Sequence, residues 1–122
     1  MTRFYFALDL HDDPQAILDY ERWHRAEQIW PEIVASIRAA GIDAMEIFRT
    51  GNRLVMAMEV GADYDPQGKA ASDAANERVQ AWERLMSTFQ QPLPWAAPGQ
   101  KWVPMTRIFS LSECNGVEAV LR

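Results

Sequence analysis

The chain has 122 residues, of which 48% are hydrophobic, so it is long enough to fold as one domain around its own core. Its formal net charge of -5 argues against a protein that binds the phosphate backbone of nucleic acid, because such a protein needs a basic patch. The single cysteine, Cys114, excludes an internal disulfide, and the chain contains neither a signal-peptide pattern nor an apolar run of membrane-spanning length. We therefore expect a soluble, cytoplasmic protein with no membrane partner, one domain over residues 1–111 and an unassigned C-terminal tail over residues 112–122.

Alternating apolar residues predict the first strand at residues 4–10. Asp13 followed by Pro14 is typical of a helix N-cap and a first-turn proline. The helical pattern that begins there continues to Pro31, which predicts either a break or a new helix, and Gly41 is a natural C-terminal stop. The first third of the chain is therefore a strand followed by a helical region.

A second strand at residues 43–49 and a third at residues 53–60 flank the turn 50–52, whose central glycine favours a hairpin. Asp65 and the proline that follows it predict the start of another helical region. This region is interrupted near Asn76, which can cap the next helical segment. Apolar residues recur at helical spacing after that cap, so the segment has one buried face.

The proline-rich stretch 92–98 cannot form a regular helix or a central strand, so it predicts an ordered loop that leads into a last strand at about residues 101–111. The resulting order is βαββαβ. This is the ferredoxin-like arrangement of an α+β protein, with a four-stranded antiparallel sheet and both helices on one face. The other face is left uncovered, which favours either a homodimer of two such faces or closure of the face over a ligand.

The most chemically informative run is residues 20–32. On a helix, Tyr20 and His24 lie four residues apart and share one face. An imidazole exchanges protons near neutral pH, and an aromatic surface beside it suits a polar ligand with apolar C–H faces, such as a sugar. A structural histidine with a hydrogen-bonded ring is the more common alternative for a lone histidine among aromatic residues.

Two glutamates on strands are candidates for a second proton-transfer group. Glu46 and Glu59 both flank apolar residues, so enclosure would raise the pKa of either carboxyl and let it act as an acid or a base. The alternative interpretation is a solvated glutamate on the outer face of the sheet, which is the more common situation.

Motifs for several other chemistries are missing from the sequence. It contains no glycine-rich phosphate loop, no G-x-S-x-G elbow and no cysteine–histidine metal pattern, and Glu21-x-x-His24 alone is too little for a dimetal site. The aromatic signature that an RNA-recognition domain carries on its third strand is absent from residues 53–59. We therefore expect no metal, no cofactor and no nucleic-acid partner.

Several short motifs, taken together, resemble those of the L-rhamnose mutarotase family. They are Tyr20-x-x-x-His24, Ile29-Trp30-Pro31-Glu32, Met45-Glu46-Ile47, Asn52-Arg53-Leu54 and Gln80-Ala81-Trp82. The resemblance extends from Arg3 to about Leu111, which is nearly the whole predicted domain. It implies a dimeric ferredoxin-like α/β barrel that interconverts the α and β anomers of a 6-deoxyhexose.

The resemblance also implies that His24 is a proton donor and that Tyr20 and Trp82 contact the sugar. The chemistry agrees, because anomer exchange needs a base at the hydroxyl on C1 and an acid at the ring oxygen, and it needs neither metal nor nucleotide. We expect His24 to act at the ring oxygen, with Glu46 or Glu59 as its partner.

The remaining expected contacts to the sugar are apolar. Trp30 should stack on the sugar together with the other aromatic side chains, and Met45 or Phe48 should form the patch for the methyl group at C6. The longer spacing between His24 and Trp30, and the segments 90–99 and 101–105, look more like the branch assigned to L-fucose than the branch assigned to L-rhamnose.

Two alternatives remain open at the level of sequence. A cofactor-free oxygenase of the same dimeric fold would use a similar aromatic pocket and a lone histidine, and it would consume oxygen. A non-catalytic module that binds a sugar or another small metabolite would keep its affinity when His24 is replaced, and it would show no turnover.

Overall fold

The computed structural model describes residues 2–114, so most of the predicted tail lies outside the described residues. The strands are β1 (Thr2–Leu10), β2 (Ile42–Thr50), β3 (Arg53–Val60), β4 (Gln90–Gln91) and β5 (Val103–Pro104). The helices are α1 (Pro14–Trp23), α2 (Pro31–Ala39), α3 (Pro66–Ala75) and α4 (Glu77–Ser87), followed by a short 3₁₀ helix at Leu111–Glu113.

The strands form one antiparallel sheet in the order β2-β3-β1, and β4 and β5 both pair with the free edge of β1. This confirms the predicted ferredoxin-like α+β fold, with two short strands in the place of a single fourth strand. Of the two outcomes predicted at Pro31, a break or a new helix, the structure has a new helix, since α2 begins there. The helical pattern predicted to continue to Pro31 ends earlier, because α1 stops at Trp23. Across residues 2–114, none of the helices combines the length and the apolar content that a bilayer crossing requires.

The last strand is much shorter than the predicted one at 101–111. Within that range only Val103–Pro104 pairs with β1, opposite Phe6–Ala7, and residues 106–110 have no regular secondary structure. Pro104 has no N–H group to donate, and β4 pairs with Asp9–Leu10 at the other end of the same edge. The prediction of one long final strand was therefore wrong because two separate segments divide this edge.

The predicted helix caps are present, and they place the helices where the sequence expects them. The Asp13 carboxylate accepts a hydrogen bond from the backbone N–H of Ala16 at 3.0 Å. Asp65 and Asn76 accept backbone hydrogen bonds in the same way at the starts of α3 and α4. A cap of this kind contributes about 1 kcal/mol to the free energy of unfolding.

The hydrophobic core lies between the sheet and the helices. Its buried members from both layers are Leu10, Tyr20, Ile33, Leu54, Val79, Trp82 and Met86. Each large apolar side chain that is fully buried contributes roughly 1.5–3 kcal/mol relative to an exposed one. Because all of these contacts are on one face of the sheet, the helices leave the opposite face uncovered, as predicted.

The uncovered face has an apolar part and a charged part. Tyr5 and Phe48 are 45% and 55% exposed on it. At one end, the Asp9 carboxylate is only 4% exposed and accepts hydrogen bonds from Nε and Nη2 of Arg53 at 2.8 and 3.2 Å. The guanidinium group of Arg53 also lies 5.2 Å from the centre of the Trp95 ring, so the proline-rich loop covers this end of the face.

Replacing Arg53 by methionine should lower the free energy of unfolding by about 1–3 kcal/mol, because the buried Asp9 carboxylate loses its charged donors. Urea denaturation at neutral pH measures this loss. The matched control is Arg3→Met, which breaks the exposed pair with Glu59 on the same face and should lower the free energy of unfolding clearly less, because water screens that pair. Equal losses in the two variants would contradict the expectation.

Candidate active site

A cavity of about 610 Å³ lies between the helices and the sheet. This volume is within the roughly 300–1,000 Å³ that is typical of small-molecule sites. The sheet forms an apolar floor from Phe6, Met45, Ile47, Met56 and Met58. The helices, the short strand β4 and the loops contribute larger and more polar side chains, namely Tyr20, His24, Trp82, Gln90, Lys101 and Trp102. The cavity therefore combines a wide apolar surface with a few polar groups.

His24 is the C-cap residue of α1, and its ring packs against the ring of Tyr20 with 4.3 Å between the ring centres. The Nδ1 atom lies 2.7 Å from the backbone carbonyl oxygen of Tyr20. A carbonyl oxygen can only accept, so Nδ1 carries a hydrogen. In the neutral imidazole this leaves a lone pair on Nε2, where it can accept a proton from a ligand.

The pKa values of Tyr20 and His24 are displaced in opposite directions. Burial lowers the pKa of His24 below its usual 6.5, and the hydrogen bond to the Tyr20 carbonyl opposes this shift in part. Burial raises the pKa of Tyr20 to about 12. Near neutral pH the cavity therefore holds a neutral imidazole that accepts protons beside a neutral phenol that donates a hydrogen bond, a combination suited to acid–base chemistry.

Trp82 also packs against the ring of His24. Its indole is 8% exposed and meets His24 edge to face, with 5.5 Å between the ring centres. Trp30 packs against Trp82 at 5.2 Å and carries the guanidinium of Arg78 over its ring at 3.8 Å. Trp30 thus lies behind Trp82, outside the lining of the cavity, and its predicted contact with a sugar stays a prediction.

The register of the hairpin separates the candidate residues on β2 and β3. Met45 pairs with Met58, and both line the cavity. Neighbouring residues of a strand point to opposite faces, so Glu46, Phe48 and Glu59 lie on the uncovered face. The structure therefore does not bring these three residues together with His24. Whether either glutamate transfers protons stays a prediction.

Several residues of the cavity wall were not singled out from the sequence. Lys69 and Asp73 form an ion pair one helical turn apart, a spacing that could have been noticed. Gln90 and Lys101 come from irregular or very short segments, where periodicity carries no signal. Within residues 2–114, no three histidine, cysteine, aspartate or glutamate side chains converge in a way that could hold a metal ion.

The fold and the cavity are those of a small α+β protein of the ferredoxin-like type with an open, largely apolar cavity on the helix side of its sheet. Residues 3–111 match the family model for L-rhamnose mutarotase. The chain therefore belongs to the L-rhamnose mutarotase family, as its motifs predicted.

Two protein relatives and one solved structure illustrate the similarity. The chain is 58% identical over 118 residues to the L-fucose mutarotase of Xanthomonas campestris pv. campestris, covering 97% of this chain and 94% of that protein. It is 30% identical over 115 residues to the L-rhamnose mutarotase of Acidiphilium cryptum, covering 91% and 99%. The crystal structure of the L-rhamnose mutarotase of Formosa agariphila superposes with a TM-score of 0.65 at 23% identity, covering 91% and 99%, and supports the fold.

An NMR pH titration of the imidazole should give a midpoint for His24 below 6.5, with the hydrogen on Nδ1 in the neutral form. Since the unfolded chain takes up this proton at a higher pH than the folded chain, the free energy of unfolding should decrease as the pH falls from about 6.5 through the folded pKa. The control variant His24→Gln should lose this contribution. A midpoint at or above 6.5 would contradict the burial of the ring.

Proposed function

We propose that this chain interconverts the α and β anomers of a 6-deoxyhexose, with L-fucose as the preferred substrate and L-rhamnose next. The observation that carries the proposal is the pairing of Tyr20 and His24 on the wall of a cavity with an apolar floor. The choice of sugar is supported by the higher identity to a protein named L-fucose mutarotase, 58% against 30% for one named L-rhamnose mutarotase.

His24 can serve both oxygens that react in an anomer exchange. The hydroxyl oxygen O1 and the ring oxygen O5 are bonded to the same carbon, so one group can reach both. In the proposed cycle, Nε2 takes the proton of the O1 hydroxyl, the C1–O5 bond breaks to give the aldehyde, and the imidazolium returns the proton to O5. Rotation about C1–C2 and the reverse steps close the ring on the other face and restore the neutral imidazole.

The other cavity residues bind and orient the sugar in this proposal. The Tyr20 phenol keeps its proton at neutral pH and donates a hydrogen bond to a sugar oxygen on which negative charge develops. Trp82 offers an aromatic surface to the C–H groups, and Met45 offers an apolar contact for the methyl group at C6. Glu46 and Glu59 have no step assigned to them, because their strands direct them away from the cavity.

The decisive experiment is saturation-transfer NMR of anomer exchange at neutral pH, with L-fucose and L-rhamnose compared. Exchange should be faster on L-fucose, and His24→Ala should slow it by roughly 10²–10⁴-fold, because a positioned acid–base group contributes about that much. The carboxylate variants Glu46→Gln and Glu59→Gln should retain exchange close to that of the unaltered protein.

Other outcomes of this experiment select among the alternatives. Loss of exchange in either glutamine variant, with the fold intact, would restore a carboxylate as the partner of His24. Sugar binding without exchange would favour a non-catalytic binding module, and oxygen uptake with an aromatic substrate would favour a cofactor-free oxygenase. Exchange that is unaffected by His24→Ala would make the histidine structural.

We also propose that the chain is a homodimer joined through its uncovered sheet face, and that it is located in the cytoplasm. The support for the dimer is a contiguous apolar patch: Tyr5 pairs with Ala57, Phe48 pairs with Val55, and both aromatic rings are exposed. Exposed apolar area of this kind marks an interaction surface. Cell fractionation tests the location.

Light scattering should give twice the mass of one chain for the unaltered protein and the mass of one chain for Phe48→Glu, because the new carboxylate would be buried against the partner. The matched control is Leu18→Glu, which changes a half-exposed residue on α1 and should leave the dimer intact. A dimer that survives Phe48→Glu would place the interface elsewhere.

A further inference from the structure

Gln90 reaches the cavity because of the way β4 pairs with β1. In this antiparallel ladder Gln90 pairs with Leu10, and Gln91 pairs with Asp9. Paired residues of neighbouring antiparallel strands lie on the same face of a sheet. Leu10 belongs to the core on the helix side, whereas Asp9 binds Arg53 on the other face. The side chain of Gln90 therefore enters the cavity, and that of Gln91 points away from it.

The Gln90 side chain has an unused hydrogen-bonding atom. Its Oε1 atom is buried and, among residues 2–114, has no hydrogen-bond partner. Buried polar atoms in folded proteins are nearly always paired, so this exception, in a side chain that lines the cavity, points to a partner that the described residues do not supply. The amide of the same side chain also partly opposes the rise in the pKa of Tyr20 that burial causes, as a donor beside the phenol oxygen does.

The unpaired Oε1 atom and the neighbouring Tyr20 hydroxyl give the cavity a specific hydrogen-bonding pattern. In the arrangement that we infer, the amide N–H group of Gln90 faces the phenol oxygen of Tyr20, and this leaves the phenol hydrogen free for a ligand. The Oε1 atom of the same amide is free to accept. Gln90 and Tyr20 together therefore present one donor and one acceptor side by side, which matches the hydroxyl groups on neighbouring carbons of a sugar ring.

We propose that Gln90 is a specificity-determining residue, whose Oε1 accepts a hydrogen bond from one ring hydroxyl of the sugar while its amide N–H group orients the Tyr20 hydroxyl. The inference rests on the proposed function and adds to it a residue that recognises one hydroxyl group of the sugar by a hydrogen bond. A site that bonds a hydroxyl disfavours an analogue that lacks it, because the buried oxygen is then left unpaired.

The test combines a protein variant with a set of sugars. Gln90→Met keeps the length of the side chain and removes the amide, and Gln91→Met is the matched control on the opposite face. The rate constant kcat/KM of anomer exchange is measured for L-fucose and for its 2-deoxy, 3-deoxy and 4-deoxy derivatives. Folding of each variant is checked by urea denaturation.

For the unaltered protein, one deoxy sugar should react about tenfold more slowly than L-fucose, the loss expected for one hydrogen bond. Gln90→Met should lose about tenfold on L-fucose and show no further loss on that deoxy sugar, whereas Gln91→Met should behave like the unaltered protein. When the effect of the variant and the effect of the missing hydroxyl do not add, Gln90 contacts that hydroxyl directly, whereas a general structural effect of the variant would add to both.

Two results would overturn the inference while leaving the proposed function intact. In the first, the unaltered protein exchanges the anomers of all three deoxy sugars as fast as those of L-fucose. This result does not depend on the folding of any variant. In the second, the loss of kcat/KM caused by Gln90→Met is the same for every deoxy sugar as for L-fucose, so that the effects of the variant and of the missing hydroxyl are independent.

If the unaltered protein exchanges no sugar, the proposed function fails by itself. In that case the affinities of the unaltered protein and of the two variants for the same four sugars are measured by equilibrium binding, with tryptophan fluorescence as the signal. This measurement tests the role of Gln90 alone. An absence of both exchange and binding would overturn both proposals.

Discussion

The antiparallel pairing of β1 with β3 is the constraint on which the rest of the structure depends. It aligns Phe6 with Met56 and Leu8 with Leu54 over nearly the full length of both strands. Side chains of paired strands are thereby divided into two sets, one on each face. The apolar set provides the surface on which the helices pack and also the floor of the cavity, so the core and the candidate active site share one packing arrangement.

The two faces of the sheet provide different electrostatic environments. On the uncovered face, Asp9 and Glu59 are paired with arginine side chains. On the helix side, Tyr20 and His24 are enclosed by aromatic and aliphatic groups, and burial favours the neutral form of both. Proton transfer between sugar oxygens suits this second environment, because it uses neutral groups that change charge only during the reaction.

Much of the fold was predictable because the signals that determine it are local. Helix caps such as Asp13 and Asn76 act on the backbone within three residues, and the alternation of residues 4–10 needs no information from the rest of the chain. The last strand could not be predicted in the same way. Its extent depends on how two distant segments, Gln90–Gln91 and Val103–Pro104, share the edge of β1.

By itself, the sequence determined the family and the order of the elements up to the last helix. It determined the pairing of Tyr20 with His24 because four residues span about one turn of a helix whatever surrounds it. It also determined that Met45 and Glu46 point to opposite sides. Only the tertiary structure decided which side is the cavity, because alternation is symmetric until the helices pack on one face. That choice placed Met45 in the site, left Glu46 outside it, and brought Gln90 to Tyr20 across a separation of seventy residues in the chain.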